Sequence, residues 1–256
     1  MIRVGCSGWS YEHWRGVLYP ESGSSARWLA LYAQVFDTVE LNASFYRLPR
    51  TETVARWAAG TPSGFCFAVK GSRYLTHVKR LREAEASVAL LEERIAPLRR
   101  ARKLGAFLWQ LPPTFRRDDA RLQSALDALP PGRHAFEFRN ASWFDDAIYS
   151  LLREYGVALV VADRAPDEPS PWIETADWAY LRFHAGRGRN GNYSARQLEE
   201  WSERIAERCD DAYVYFNNDW NGYAVHNARE LRRLLGRKTG RESAGAPSLP
   251  VAGGRG

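Results

Sequence analysis

The chain has 256 residues, 45% of them hydrophobic, and carries a formal net charge of +6. That length suits one domain with a full core, and no apolar run approaches the ~20 residues that cross a bilayer. Three scattered cysteines, Cys6, Cys66 and Cys209, make neither a disulfide framework nor a zinc cluster and fit a reducing, cytoplasmic setting.

In chain order, β-rich runs fall at residues 2–6, 38–42, 65–70, 104–110, 134–139, 157–163, 179–184 and 212–217. The first begins at once after Met1, which leaves no room for a signal peptide. The runs at 38–42 and 157–163 are apolar until their ends, as parallel strands covered by helices are. Helical patterns lie between the runs. Ala84, Val88, Leu91, Ile95 and Leu98 form one apolar stripe, with Pro97 expected to kink that helix near its end. A further helix is expected at 147–155, stopped by Gly156. Residues 164–171 are proline-rich and read as a loop. Ser194 and Gln197 predict a capping box opening a helix at 195–209. A last helix is expected at 223–235.

This rhythm predicts an α/β fold of the (β/α)8 TIM-like barrel type, with parallel strands, over residues 1–235. Residues 236–256 read as a disordered Gly/Ser/Pro tail. The tail sets four basic residues (Arg237, Lys238, Arg241, Arg255) against Glu242 and so holds about half of the net charge. What remains on the barrel is the mild basicity of an ordinary solvated surface.

Barrels of this kind place their active sites at the carboxyl ends of the strands, and side chains along each strand alternate inward and outward. If the last polar residue of each run points inward, the inner sets are Thr38, Glu40, Asn42; Cys66, Ala68, Lys70; Ala106, Leu108, Gln110; Ala135, Glu137, Arg139; Leu159, Val161, Asp163; Tyr180, Arg182, His184; and Tyr213, Tyr215, Asn217. One end is then packed and the other carries charge: Glu40, Glu137 and Asp163 against Lys70, Arg139 and Arg182, with His184 beside them. This ring is either an ion-pair lattice fixing the barrel mouth or an active site.

At these positions the chain resembles the YecE-like family, domain of unknown function 72. The resemblance rests on Gly5-Cys6-Ser7-Gly8-Trp9-Ser10-Tyr11, Trp14-Arg15-Gly16, Tyr19-Pro20, the block from Glu40 to Tyr46, Phe67-Ala68-Val69-Lys70 and Thr76-His77. It continues at Gln110-Leu111-Pro112-Pro113, Glu137-Phe138-Arg139-Asn140, Ser142-Trp143, Tyr215-Phe216-Asn217-Asn218 and Ala224. It implies a barrel and brings no established reaction. Cys6 stands where Thr is expected, and Ala185 where Gly is expected after His184.

The catalytic candidates are Glu40, Lys70, Glu137, Asp163 and His184, and the substrate-binding candidates are Asn42, Tyr46, Gln110, Arg139, Trp143, Arg182, Arg187, Arg189, Asn217 and Asn218. The leading reading is an enzyme acting on a small anionic substrate. Arg182, Arg187 or Arg189 would grip a phosphate or carboxylate, helped by the glycines of the 186–193 loop. Glu40 or Glu137 would be the general acid or base, tuned by Lys70 and Arg139. A glycoside hydrolase using Glu40 and Glu137 and an imine-forming lyase using Lys70 are alternatives, although the neighbouring acids are expected to keep Lys70 charged. So is a nucleic-acid-binding or phosphodiester-cleaving protein resembling barrel endonucleases. No cofactor is required; one divalent ion held by Glu40, Glu137, Asp163 and His184 stays open. No membrane contact is expected, and the sequence specifies no oligomeric state.

Overall fold

The structure, a computed structural model, describes residues 1–164 and 170–238, with only the backbone of Lys238. The strands are β1 (Ile2–Cys6), β2 (Thr38–Leu41), β3 (Cys66–Lys70), β4 (Leu104–Gln110), β5 (Arg133–Glu137), β6 (Ala158–Leu159), β7 (Val161–Asp163), β8 (Ala179–Phe183) and β9 (Ala212–Phe216). The helices are α1 (Trp28–Val35), α2 (Ala43–Tyr46), α3 (Thr51–Ala59), α4 (Ala84–Arg100), α5 (Asp119–Asp127), α6 (Asp146–Glu154), α7 (Ala195–Arg208) and α8 (Tyr223–Lys238).

Every strand pair is parallel, but the ladder does not close into the single ring expected from the sequence. It forms a four-stranded sheet, β1-β9-β8-β7, and a five-stranded sheet, β2-β3-β4-β5-β6. At one seam the run 157–163 passes from the second sheet to the first. Val160 breaks it there, while its N–H still donates to the Phe136 carbonyl at 2.9 Å. At the other seam β1 and β2 touch through a single bridge between Ser7 and Glu40, with Gly8 N–H donating to Glu40 O at 2.9 Å. Below that bridge a side chain takes the place of the ladder. The Tyr32 hydroxyl accepts from Cys6 N–H at 2.8 Å and donates to Thr38 O at 2.9 Å. One hydroxyl thus satisfies both backbone groups that the open seam would strand.

The sheets nevertheless share an interior of small and aromatic residues: Ala68, Ala106, Leu108, Ala135, Ala158, Val160, Ala162, Tyr180, Tyr213 and Tyr215. The helices cover the outer faces. The stripe Ala84, Val88, Leu91, Ile95 and Leu98 on α4 is buried, and the helix continues through Pro97 to Arg100. The α7 capping box is present as predicted, with Ser194 and Gln197 exchanging bonds of 3.2 and 3.1 Å. No α-helix follows β7 among the described residues; of the predicted 164–171 loop, residues 165–169 lie outside them. Helix α8 runs to Lys238, three residues past the expected boundary at 235, and the rest of the proposed tail, 239–256, lies outside the described residues. No described helix is long and apolar enough to cross a membrane.

Gly5 is the tightest point of the β1–β2 seam. A Cβ there would collide with the Thr38 carbonyl oxygen and sit 2.9 Å from the Tyr32 hydroxyl. Gly5→Ala should therefore lose roughly 1–3 kcal/mol, the usual cost of overpacking, and urea denaturation followed by tryptophan fluorescence will show it. An unchanged midpoint would mean that the seam is slack.

Candidate functional site

The interior is apolar along most of its depth and becomes charged where the strands end. The central group is Arg182 on β8, 1% exposed. Its Nε and Nη2 donate to Glu40 Oε2 and Oε1 at 2.9 and 2.8 Å, and its Nη1 donates to Glu137 Oε2 at 2.5 Å. Glu40 on β2 and Glu137 on β5 are fully buried. Ser7 Oγ and Tyr180 Oη also donate to Glu40, at 2.7 and 2.8 Å, so both of its oxygens are committed. Glu137 receives Arg139 Nε at 3.1 Å and Gln110 Nε2 at 3.3 Å, and His184 Nε2 lies 3.6 Å away. Burial alone would push both carboxyls up. Arg182, joined by Lys70 and Ser7 at Glu40 and by His184 and Arg139 at Glu137, outweighs this and holds Glu40 below and Glu137 well below the ordinary value of 4.5.

His184 is held below its ordinary 6.5, first by burial, and is therefore neutral at pH 7. Asn217 Nδ2 lies 3.2 Å from its Nδ1. Its Nε2 lies 3.4 Å from Arg182 Nη1 and 3.6 Å from Glu137 Oε1.

Lys70 ends β3 at 8% exposure. Among the described residues no carboxylate lies within 4.0 Å of its ammonium, which sits 4.1 Å from the centroid of the Phe45 ring. Burial, and then the Arg182 charge, push it down to about 8 against the upward pull of Glu40 and Glu137. Glu40 and Glu137 thus pull Lys70 toward the charged form as expected, and it stays mostly protonated at pH 7, but burial and Arg182 outweigh that pull and leave its proton easier to lose than that of a free lysine. His77 stands edge-on to Phe45 at 5.0 Å, its Nδ1 2.9 Å from Thr76 Oγ1. Burial and the Lys70 charge push it down to about 4.

The structure brings Glu40, Lys70, Glu137, Arg139, Arg182, His184, Gln110 and Asn217 together as expected. Asn42 and Tyr46 lie beside them, Asn42 with an unpaired buried amide oxygen and Tyr46 81% exposed. Asn218 is buried; it donates to Gly191 O at 3.0 Å and leaves its own amide oxygen unpaired.

Four expectations fail. Asp163 does not point inward: Ala158, Val160 and Ala162 line the interior, and Asp163 instead accepts from Trp201 Nε1 of α7 at 3.2 Å. A divalent ion held by Glu40, Glu137, Asp163 and His184 loses a ligand by this. Trp143 is buried, stacked on Phe138 at 4.8 Å, and donates to Phe115 O at 2.8 Å; it is a packing residue. Arg187 and Arg189 are exposed, and no hydrogen bond or ion pair joins either to the ring among the described residues. The glycines of their loop serve the loop itself, since a Cβ on Gly186 would collide with Asn192 O. Finally, Arg182 fills the space between Glu40 and Glu137, so these cannot flank a glycosidic bond, and its guanidinium, 1% exposed, spends three of its N–H donors on these two carboxylates rather than facing the mouth.

Sequence reasoning missed Ser7, Phe45, His77 and Arg164. The first three stand inside the family-like motifs. Arg164 follows Ala162 in the true inward phase and reaches Phe138 O at 3.5 Å. Cys6, the departure from the family pattern, is buried, and burial pushes its thiol well up, leaving it unreactive at neutral pH.

Replacing Arg182 with Met would strand two buried carboxylates and should cost roughly 3–5 kcal/mol or more at pH 7. In the wild type both carboxyls are depressed in the folded state. Their contribution is present above about pH 4.5 and lost as the pH falls through their folded values. In Arg182→Met the largest lowering influence is gone and burial raises them against what Lys70, Ser7, His184 and Arg139 still supply, so the deficit should shrink from pH 7 to pH 4.5. Denaturant titrations at both pH values will show this; a deficit that does not depend on pH would contradict the charge assignment.

Comparison with known proteins places the chain in a family. The family model described as "Protein of unknown function DUF72" matches residues 3–250. The UPF0759 protein YecE of Escherichia coli strain K12 is 31% identical over 280 residues, covering 98% of each chain. The UPF0759 protein YunF of Bacillus subtilis strain 168 is 28% identical over 271 residues, covering 92% of this chain and 95% of its own. Among solved structures, a DUF72 family protein of Thermotoga maritima MSB8 superimposes with a TM-score of 0.82 at 31% identity, over 92% of this chain and 99% of that one. Another from Enterococcus faecalis V583 gives 0.78 at 25% identity, over 92% and 95%. From the family match and these identities, the chain belongs to the DUF72 family, together with YecE and YunF.

Proposed function

We propose that this protein is an enzyme that binds a small carboxylate- or phosphate-bearing molecule at the strand ends and moves a proton on it. In this reading the two sheets act together as one (β/α)8-type barrel, and the site lies where such barrels carry theirs. The observation that carries the reading is Lys70, a nearly buried ammonium with no carboxylate within 4.0 Å among the described residues. Three cations, Arg182, Arg139 and Lys70, face two carboxylates, and both nearby imidazoles are pushed toward neutrality. Among these five described groups one positive charge is left over, and an anion is its natural partner.

The roles divide by exposure. Arg139 is 31% exposed at its side chain and spends only Nε on Glu137, so its outer nitrogens are available to an anion. Lys70, shifted to about 8, exchanges its proton near neutral pH and is the acid or base. Glu137 and His184 hold these groups in register. Glu40 is a positioning residue, since its oxygens are used up inside.

A second reading, contact with nucleic acid, draws on the exposed Tyr46, Tyr74 and Trp220, which follow β2, β3 and β9. Stacking on such rings tolerates any base, and its companion phosphate contacts weaken with salt. Binding of a labelled oligonucleotide that is lost in Tyr46→Ala and falls steeply between 50 and 200 mM salt would favour it; absence of binding at low salt removes it.

The main reading is tested by calorimetric titration with pyruvate, citrate, inorganic phosphate and glycerol phosphate. At least one should bind at pH 7. Arg139→Met and Lys70→Met should each weaken it about tenfold or more, the scale of one hydrogen bond to a charged group, while Arg187→Ala and Arg189→Ala should not. Wild-type affinity should fall as the pH rises through about 8, and this slope should vanish in Lys70→Met. Failure of all four anions to bind, or sensitivity only to Arg187 and Arg189, would overturn the reading.

A further inference from the structure

We propose that Lys70 is a nucleophile, whose amine condenses with the carbonyl carbon of an aldehyde or keto acid held at the mouth. The proposal rests on the anion-binding reading above and names the substrate class: a carbonyl compound whose acid group is gripped by Arg139.

The first support is how the chain uses lysine. Of its 36 basic residues only four are lysines, at positions 70, 79, 103 and 238; the others are arginines. Two of the other lysines have plain structural employment. Lys103 Nζ donates to Ala58 O at 2.6 Å, Thr61 O at 2.5 Å and Thr61 Oγ1 at 3.0 Å, and Lys79 forms a surface pair with Glu83 at 2.6 Å. Where this chain places a fixed charge in the ring, at 139 and 182, it uses arginine. Arginine stays protonated, whereas a lysine amine can be freed as a nucleophile.

The second support is geometry. The Lys70 ammonium has no hydrogen bond and no carboxylate within 4.0 Å among the described residues, and the Phe45 ring 4.1 Å away offers a weak, non-covalent seat. The strand end is held still: Ser44 Oγ donates to both Leu41 O at 3.0 Å and Lys70 O at 2.6 Å, pinning α2 and β3 together. Burial, with the Arg182 charge second, outweighs the opposing pull of Glu40 and Glu137, and desolvation of this kind activates lysine nucleophiles. With its acidity shifted to about 8, on the order of one Lys70 in ten is neutral at pH 7.

The chemistry balances without an oxidant or reductant. The neutral amine attacks the carbonyl carbon, a C–N bond forms, and the C=O electron pair moves to oxygen, which takes up the proton released from nitrogen. The resulting carbinolamine loses its hydroxyl as water, using one further proton, and the nitrogen lone pair closes the C=N bond. The imine then carries a positive charge until its last N–H proton leaves. His77, a neutral imidazole packed on the same Phe45 ring, is the neighbour placed to accept and return these protons.

Borohydride trapping tests this on the full chain. The protein is incubated at pH 8 with glyoxylate or pyruvate, reduced, digested and mapped by mass spectrometry, with propanal as the uncharged probe. Lys70 should carry the reduced adduct at least tenfold above the exposed Lys79, excess acetate should suppress it, and Lys70→Arg should remove it while keeping the native circular dichroism. No adduct at Lys70, or labelling that merely follows exposure, overturns the proposal. The two readings separate cleanly. Equal labelling by propanal and glyoxylate, unaffected by acetate, keeps the imine and sinks the anion grip. Calorimetric binding of pyruvate without any adduct keeps the anion grip and sinks the imine.

Discussion

One guanidinium ties this structure together. Arg182 stands on β8, in the four-stranded sheet, and its two carboxylates stand on β2 and β5, in the five-stranded sheet. The pairing therefore spans the interior between sheets whose ladders do not join. Taking three charges out of water costs several kcal/mol for each, repaid only where geometry and extra hydrogen bonds are good. Here they are: Ser7 and Tyr180 complete Glu40, and Arg139 and Gln110 complete Glu137. The Thr38–Tyr215 hydroxyl pair, at 2.6 Å, ties the same two sheets one layer deeper. Such a lattice adds less to stability than to uniqueness, because sliding either sheet by one residue would leave buried charges unpaired.

The lattice also shapes what surrounds it. It commits both oxygens of Glu40 and three N–H donors of Arg182, and turns one edge of Glu137 outward toward Arg139 and His184. Lys70 still feels both acids, but burial and the Arg182 charge outweigh their pull. The inner layer of the polar ring is a structural lattice, and the layer above holds Lys70, Arg139, His184 and His77.

Much of this was legible in the chain. Parallel strands buried on both faces must be apolar until they end, so the β runs stood out, and period-two alternation placed Glu40, Lys70, Glu137, Arg182 and His184 on one side. The same rule failed at residues 157–163, where the last polar residue was assumed to point inward. The interior is narrow and takes alanine at Ala68, Ala106 and Ala135; Ala158 and Ala162 keep that pattern, and Asp163 falls outside it. Small-residue phase was the better guide. Trp143 misled for a related reason: closeness in sequence to a strand end says nothing about facing, and its indole is spent on Phe138 and Phe115.

The sequence by itself determined the order of strands and helices, the α7 cap and the polar character of the strand ends, because these depend on local periodicity and on hydrogen bonds between near neighbours. Tertiary structure alone decided the rest. Whether the ladder closes depends on Tyr32 meeting Cys6 and Thr38 at a seam. Which charges cancel depends on Arg182 reaching residues 142 and 45 positions away. The proton affinity of Lys70 depends on its burial and on the Arg182 charge, set against the pull of Glu40 and Glu137. Coulomb interactions and desolvation act through space, and no spacing along the chain encodes them.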